Sequence, residues 1–244
     1  MTHLFPELMT KDHLAKDDMT MRIGEIIETG TTGFVAESLE LNRPPALGSL
    51  VKVEVGDGAC VYGVVSHGTT TGLDPGRRAV RRSTEEVRDE AIYDEHPELK
   101  HTLRTEFSVL LVGCVEDPVL VALGPLAQAL GPVAQGHRGQ RVQDKCGAIR
   151  QHLPAQPPPL HYSVHQCTEE EVRAFSERLY YLRLLLSAPG EVPSEQLLAA
   201  HVRQAYRQRG QDREWLERAA RGIAALLKHD YEWLMTVLYA IEPG

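Results

Sequence analysis

Between Met21 and Val65 the chain changes character every few residues, and that rhythm constrains the fold more than any other feature. Runs rich in Val, Ile and small residues (Ile23–Ile27, Gly33–Leu39, Ser49–Val55, Val61–Val65) are separated by turn signals at Thr29-Gly30, Arg43-Pro44-Pro45 and Gly56-Asp57-Gly58. Val51, Val53 and Val55 alternate with Lys52 and Glu54, the period-two pattern of a half-buried strand. The Gly56-Asp57-Gly58 turn offers the positive φ that a tight hairpin needs. Strand composition returns at 105–113 and 119–123, with Glu116-Asp117-Pro118 as the turn between them. Together these runs are enough to close a small barrel.

The rest of the chain is organised around that barrel. Residues 1–20 read as a flexible leader, and 21–125 as the barrel. Residues 66–104 form a charged insertion, in which Ser83 or Thr84 is placed to cap a short helix and His96-Pro97 to interrupt it. Residues 126–166, rich in Gly and Pro and containing Pro157-Pro158-Pro159, read as an excursion or linker. From 167 to 244 the periodicity is helical. Thr168 and Glu171 make a capping box, and Leu179, Leu182, Leu185 and Leu186 line the first helix. A second helix opens at Pro193-Ser194 and ends at Gly210, a third begins near Asp212, and a fourth near Asp230. The expected class is α+β: a small closed or partly open antiparallel β-barrel followed by a C-terminal helical bundle.

The barrel segment resembles the HAS barrel, the N-terminal domain shared by HerA-type DNA-translocating ATPases and rotary ATP synthase subunits. The matching residues are Ile23-Gly24-Glu25-Ile26-Ile27, Thr31 through Glu37, Pro45 through Val53, and Val61-Tyr62-Gly63-Val64-Val65. The resemblance covers roughly 21–125. In that family the barrel precedes a nucleotide-binding motor and helps to assemble rings or dock partners. This chain departs from the pattern: the string GxxxxGK[ST], whose backbone amides and lysine cradle phosphates, is absent from it.

Net charge is −8, which argues against a general nucleic-acid binder. No stretch approaches the 18 apolar residues of a membrane span. Cys60, Cys114, Cys146 and Cys167 are far apart with no CxxC pair, and the start of the chain lacks an apolar signal core. A cytoplasmic protein with reduced thiols is the expectation.

Several side-chain groups carry candidate chemistry. His161, His165 and Cys167 bear metal-ligand atoms, and one strand over 161–165 would put both histidines on one face; ordinary strand and surface histidines are the competing explanation. Arg77, Arg78, Arg81 and Arg82 form a positive patch suited to phosphate, but Glu85, Glu86, Asp89 and Glu90 follow directly and offer ion pairs instead. Cys60 and Cys114 read as core thiols, and Ser66-His67 lacks the context of a nucleophile elbow. Trp215 and Trp233 serve either a bundle core or a docking face. The leading expectation is a non-catalytic adaptor, needing no cofactor, that docks on or oligomerises with a protein partner such as a HerA-like ATPase. Its barrel contacts would come from Thr31, Thr32 and Phe34 and from Pro45 and Leu47, with Trp215 and Trp233 as a second surface. The alternative is a nucleic-acid-binding module using the barrel face and the Arg77–Arg82 loop.

Overall fold

The computed structural model describes residues 21–56, 58–74, 78–115, 148–187 and 190–241. Six strands close a ring: β1 (Arg22–Thr29), β2 (Gly33–Ser38), β3 (Leu50–Gly56), β4 (Ala59–Gly72), β5 (Leu103–Val115) and β7 (Ser163–Gln166). Around the ring the order is β1, β2, β5, β4, β3, β7 and back to β1, every pair antiparallel. The short β6 (Ile149–Arg150) pairs with the end of β5 outside that ring.

Period-two alternation sends one residue of each pair inward. Ile26, Phe34, Val51, Val53, Phe107 and Val164 meet in the interior and fill it. The barrel is therefore a packed core, as small barrels are when large side chains alternate with small ones. Gly56 and Gly58 flank the β3–β4 turn with φ of 97° and 80°, the conformation the sequence calls for there.

The strand that completes the ring lies far along the chain. Ser163–Gln166 slots between β1 and β3, with Val164 opposite both Gly24 and Val53. The barrel thus reaches beyond residue 125 and draws on the segment read as linker. Residues 119–123, read as a strand, and residues 1–20, read as a leader, fall outside the described residues. The β4–β5 hairpin also extends further than the sequence indicates, pairing from Cys60 opposite Val115 to Gly72 opposite Leu103. Within the insertion Thr84 bonds to the Val87 amide in a turn, and the helices come later, as α1 (Ala91–Glu95) and α2 (Leu99–Thr102) on either side of His96-Pro97.

The outer faces of β3, β4 and β5 are apolar too. Leu50, Tyr62, Val64 and Val112 belong to a second core, shared with the helices. These are α3 (Glu169–Ser176), α4 (Leu182–Ser187), α5 (Ser194–Gln208), α6 (Arg213–Leu226) and α7 (Tyr231–Ile241). α3 opens on the capping box: Thr168 Oγ1 accepts from the Glu171 amide and Glu171 Oε2 from the Thr168 amide. Asp212 and Asp230 cap α6 and α7 through the amides of Trp215 and Trp233.

The first helix, expected to run unbroken to residue 187, stops after Ser176 and restarts at Leu182. Side chains satisfy the backbone groups that the break releases. Gln151 Nε2 donates to both Phe175 O and Arg178 O, and Gln151 Oε1 accepts from the Tyr180 amide. Trp215 Nε1 donates to Ser176 O, and Arg209 Nη1 to Arg173 O. The turn exists because long-range partners stabilise it, and the local leucine spacing carries no trace of them.

Candidate functional site

The joint between barrel and helices concentrates the perturbed polar groups. Gly48 has φ +83°, and a Cβ there would run into the backbone of Ala200 and His201, so the loop before β3 packs directly on α5. Gly48 O lies 2.7 Å from His201 Nδ1, and Tyr181 Oη lies 2.7 Å from His201 Nε2. A carbonyl only accepts, so Nδ1 carries the proton and Nε2 accepts from the Tyr181 hydroxyl. Burial lowers the His201 pKa to about 4, against a smaller opposing effect of the Gly48 bond. Burial likewise raises Tyr181. The imidazole is neutral and both its nitrogens are occupied.

A second polar contact lies on the same joint. Lys52 Nζ is 2.6 Å from Glu171 Oε1 and 3.2 Å from Glu54 Oε1. Burial opposes the ammonium charge, but the bonds and charges of the two carboxylates outweigh it, and the Lys52 pKa lies above the ordinary lysine value. Beside it, burial pushes the Cys60 thiol up to about 12 and Cys167 well above the usual thiol range. Thiols held this way are protonated and weak nucleophiles. At the far side of the helices Arg209 is enclosed, donating to Arg173 O, Ser176 Oγ, Glu177 Oε2 and Asp212 Oδ2, with its guanidinium 5.1 Å from the Trp215 ring. Lys52 with Glu171 and Tyr181 with His201 answer one another at the joint, and Arg209 ties the helices to one another.

The candidate contact residues separate into surface and core. Thr31 and Thr32 are exposed at the β1–β2 turn, Pro45 is half-buried, and Leu47 is exposed in the loop before β3. Phe34 is inside the barrel, 4% exposed, and Trp215 is fully enclosed by the helices, so neither side chain offers a surface. β2, which carries Phe34, is paired on both sides, with β1 and with β5. Trp233 is 41% exposed on α7, near Tyr231 and Tyr239, which are more exposed still.

Of the arginines, Arg77 lies outside the described residues, and Arg78 and Arg81 are exposed. Arg82 bonds to Glu98 on the insertion at 3.0 Å. Together with Leu73, Val80, Ile92 and Leu99, Arg78 and Arg82 line a cleft of about 520 Å³ at the tip of the β4–β5 hairpin. The barrel aromatics Phe34, Tyr62 and Phe107 are all buried.

The three metal-ligand candidates do not converge. His161 is exposed and bonds to Glu25 at 2.9 Å, whereas Cys167 is buried under the helices. Among the described residues no group of three His, Cys, Asp or Glu side chains is placed to hold a metal ion. No described helix is long and apolar enough to cross a membrane.

Sequence reasoning passed over His201, Gln151 and the Lys52–Glu171 contact. His201 did leave a signal: it is a polar residue in the apolar face of Leu197, Leu198 and Val202. Gln151 left none. Compared with protein-family models and with curated proteins, the chain gives no match.

Proposed function

We propose that the chain is a non-catalytic adaptor whose HAS-like barrel docks on a protein partner, with a HerA-like ATPase supplied by another chain as the leading candidate. The observation that carries this reading is the filled barrel. Its interior is occupied by its own side chains, so it has no room for a ligand and acts through its outside. One side of that outside is committed to the helices through Leu50, Tyr62 and Val64, while Thr31, Thr32, Leu47 and the hairpin tip stay open. The nucleic-acid alternative has less support. Arg82 is tied to Glu98, and the aromatics on which bases would stack are buried.

The test mixes the purified chain with the HerA-type ATPase of the same cell and follows both by size-exclusion chromatography. Co-migration that Thr31→Arg or Thr32→Arg weakens supports the reading. Separate elution at low and high salt, or ATP turnover by the chain alone, overturns it.

A further inference from the structure

The β4–β5 hairpin outgrows the barrel, and among the described residues the β4 side of the overhang has no strand partner. β3 accompanies β4 as far as Val64, opposite Leu50, and the last backbone bonds on that side join Val65 to Gly48 and Ser49. From His67 to Gly72, β4 has β5 on one side and, among the described residues, no strand on the other.

The ladder shows which groups face outward. The Leu73 amide donates to Thr102 O at 3.0 Å, so Leu73, Thr71 and Thr69 direct their amides and carbonyls at β5. Gly68, Thr70 and Gly72 alternate with them and direct theirs away from β5, while Pro44 packs against Gly68. Gly68 and Thr70 are exposed, and none of the three has a backbone partner on that side among the described residues.

Natural sheets blunt such edges with lysine, proline or another charge. Here Ser66–Leu73 contains no proline and no ionisable residue but His67. The edge itself, Gly68-Thr69-Thr70-Thr71-Gly72, reads the same in both directions. Antiparallel pairing about Thr70 sets Thr70 against Thr70 of a second copy and each Gly68 against a Gly72. Every open amide and carbonyl of the three residues then has a partner, and the arrangement closes on a two-fold axis. The ends also match. Leu73, 52% exposed, follows the edge, and exposed Leu47 precedes Gly48, which is bonded to Val65 at the other end. The two-fold brings Leu73 of each copy towards Leu47 of the other. With a net charge of −8, self-association is least opposed where the surface is uncharged.

We propose that two copies of this chain associate through antiparallel pairing of their β4 edges at Gly68–Gly72, continuing the β4–β5 sheet across the dimer. The proposal goes beyond the adaptor reading and stands whether or not an ATPase docks. The palindromic edge selects a second copy over an extended segment of another polypeptide.

Light scattering on the purified full chain tests it, with Thr70→Pro and Thr70→Val alongside. Proline at 70 removes the central outward amide while sparing the β5 ladder, and valine keeps the amide while losing only the hydroxyl contact with Thr105. The expected masses are twice the 27.1 kDa chain for wild type and Thr70→Val, and one chain for a folded Thr70→Pro. A dimeric Thr70→Pro, or a wild type that stays monomeric at its highest soluble concentration, overturns the proposal. If Thr70→Pro fails to fold, wild-type amide exchange decides. Thr70 and Gly72 amides that slow as concentration rises support the dimer. Amides that exchange freely at every concentration overturn it and leave the edge to a different chain.

Discussion

Lys52 on β3 and Glu171 on α3 meet at 2.6 Å, and the same carboxylate accepts the Thr168 amide through its other oxygen. One side chain thus caps a helix and ties that helix to the barrel. The pair lies in the joint, with Lys52 nearly enclosed and Glu171 partly solvated. Removing Glu171 leaves Lys52 only the exposed Glu54, and removing Lys52 leaves Glu171 only the Thr168 amide, whereas removing both relieves that cost.

Lys52→Met and Glu171→Gln are therefore expected to destabilise the fold by about 2 kcal/mol each. The double variant should lose less than their sum by about 1 kcal/mol or more. Urea unfolding of the four proteins checks it. Strict additivity would show that the contact does not bind the two layers.

The link between Gly48 and His201 predicts a pH dependence. The folded pKa of His201, about 4, lies below the ~6.5 of an unfolded histidine, so the unfolded chain takes the proton first. The stabilisation is fully present above about pH 6.5 and is lost as pH falls towards 4, to a total of about 3 kcal/mol. In His201→Gln this part of the slope should vanish, whatever the variant's absolute stability. Unfolding free energies measured at several pH values between about 7 and 5 decide it. A slope equal to that of wild type would mean that another group supplies the titration.

How much of this was legible in the sequence follows the range of the interactions. The β3–β4 hairpin, with its alternating valines and the glycines Gly56 and Gly58 at its turn, is local and legible in the sequence. So are the Thr168–Glu171 box and the start of a helix near Asp212. The closing strand was harder, because Ser163–Gln166 is short and only Val164 points inward, between strands more than a hundred residues upstream. The break after Ser176 depends on Gln151, Arg209 and Trp215, none of which alters the leucine periodicity of 179–186. Phe34 and Trp215 could be given to surface or core only once the packing was known. The open edge of β4 is a property of topology, since it arises where β3 ends and β4 continues.

Thiol reactivity offers a third test. Burial holds Cys60 at about 12 and Cys167 well above the ordinary range, and Cys114 is buried. Iodoacetamide at about pH 8 should leave these three unmodified in the folded protein and label them on unfolding in denaturant. Peptide mapping by mass spectrometry reads the result. Rapid native labelling of Cys167, which is buried under the helices, would show that the joint opens in solution.

Arg209 gives the sharpest test of the helical layer. Its guanidinium donates to a helix carbonyl, a hydroxyl and two carboxylates at once while lying against Trp215, and Arg173 Nη2 donates back to Arg209 O. A lysine keeps the charge, but its single ammonium cannot reach these divergent acceptors. Arg209→Lys is therefore expected to cost about 2–4 kcal/mol, close to the cost of Arg209→Met, because the fork is lost in both. The fluorescence of Trp215 should change in both variants, with Trp233→Phe as the background that isolates it. If Arg209→Lys instead retains wild-type stability, charge alone holds the turn after Ser176, and the geometry of the fork contributes little.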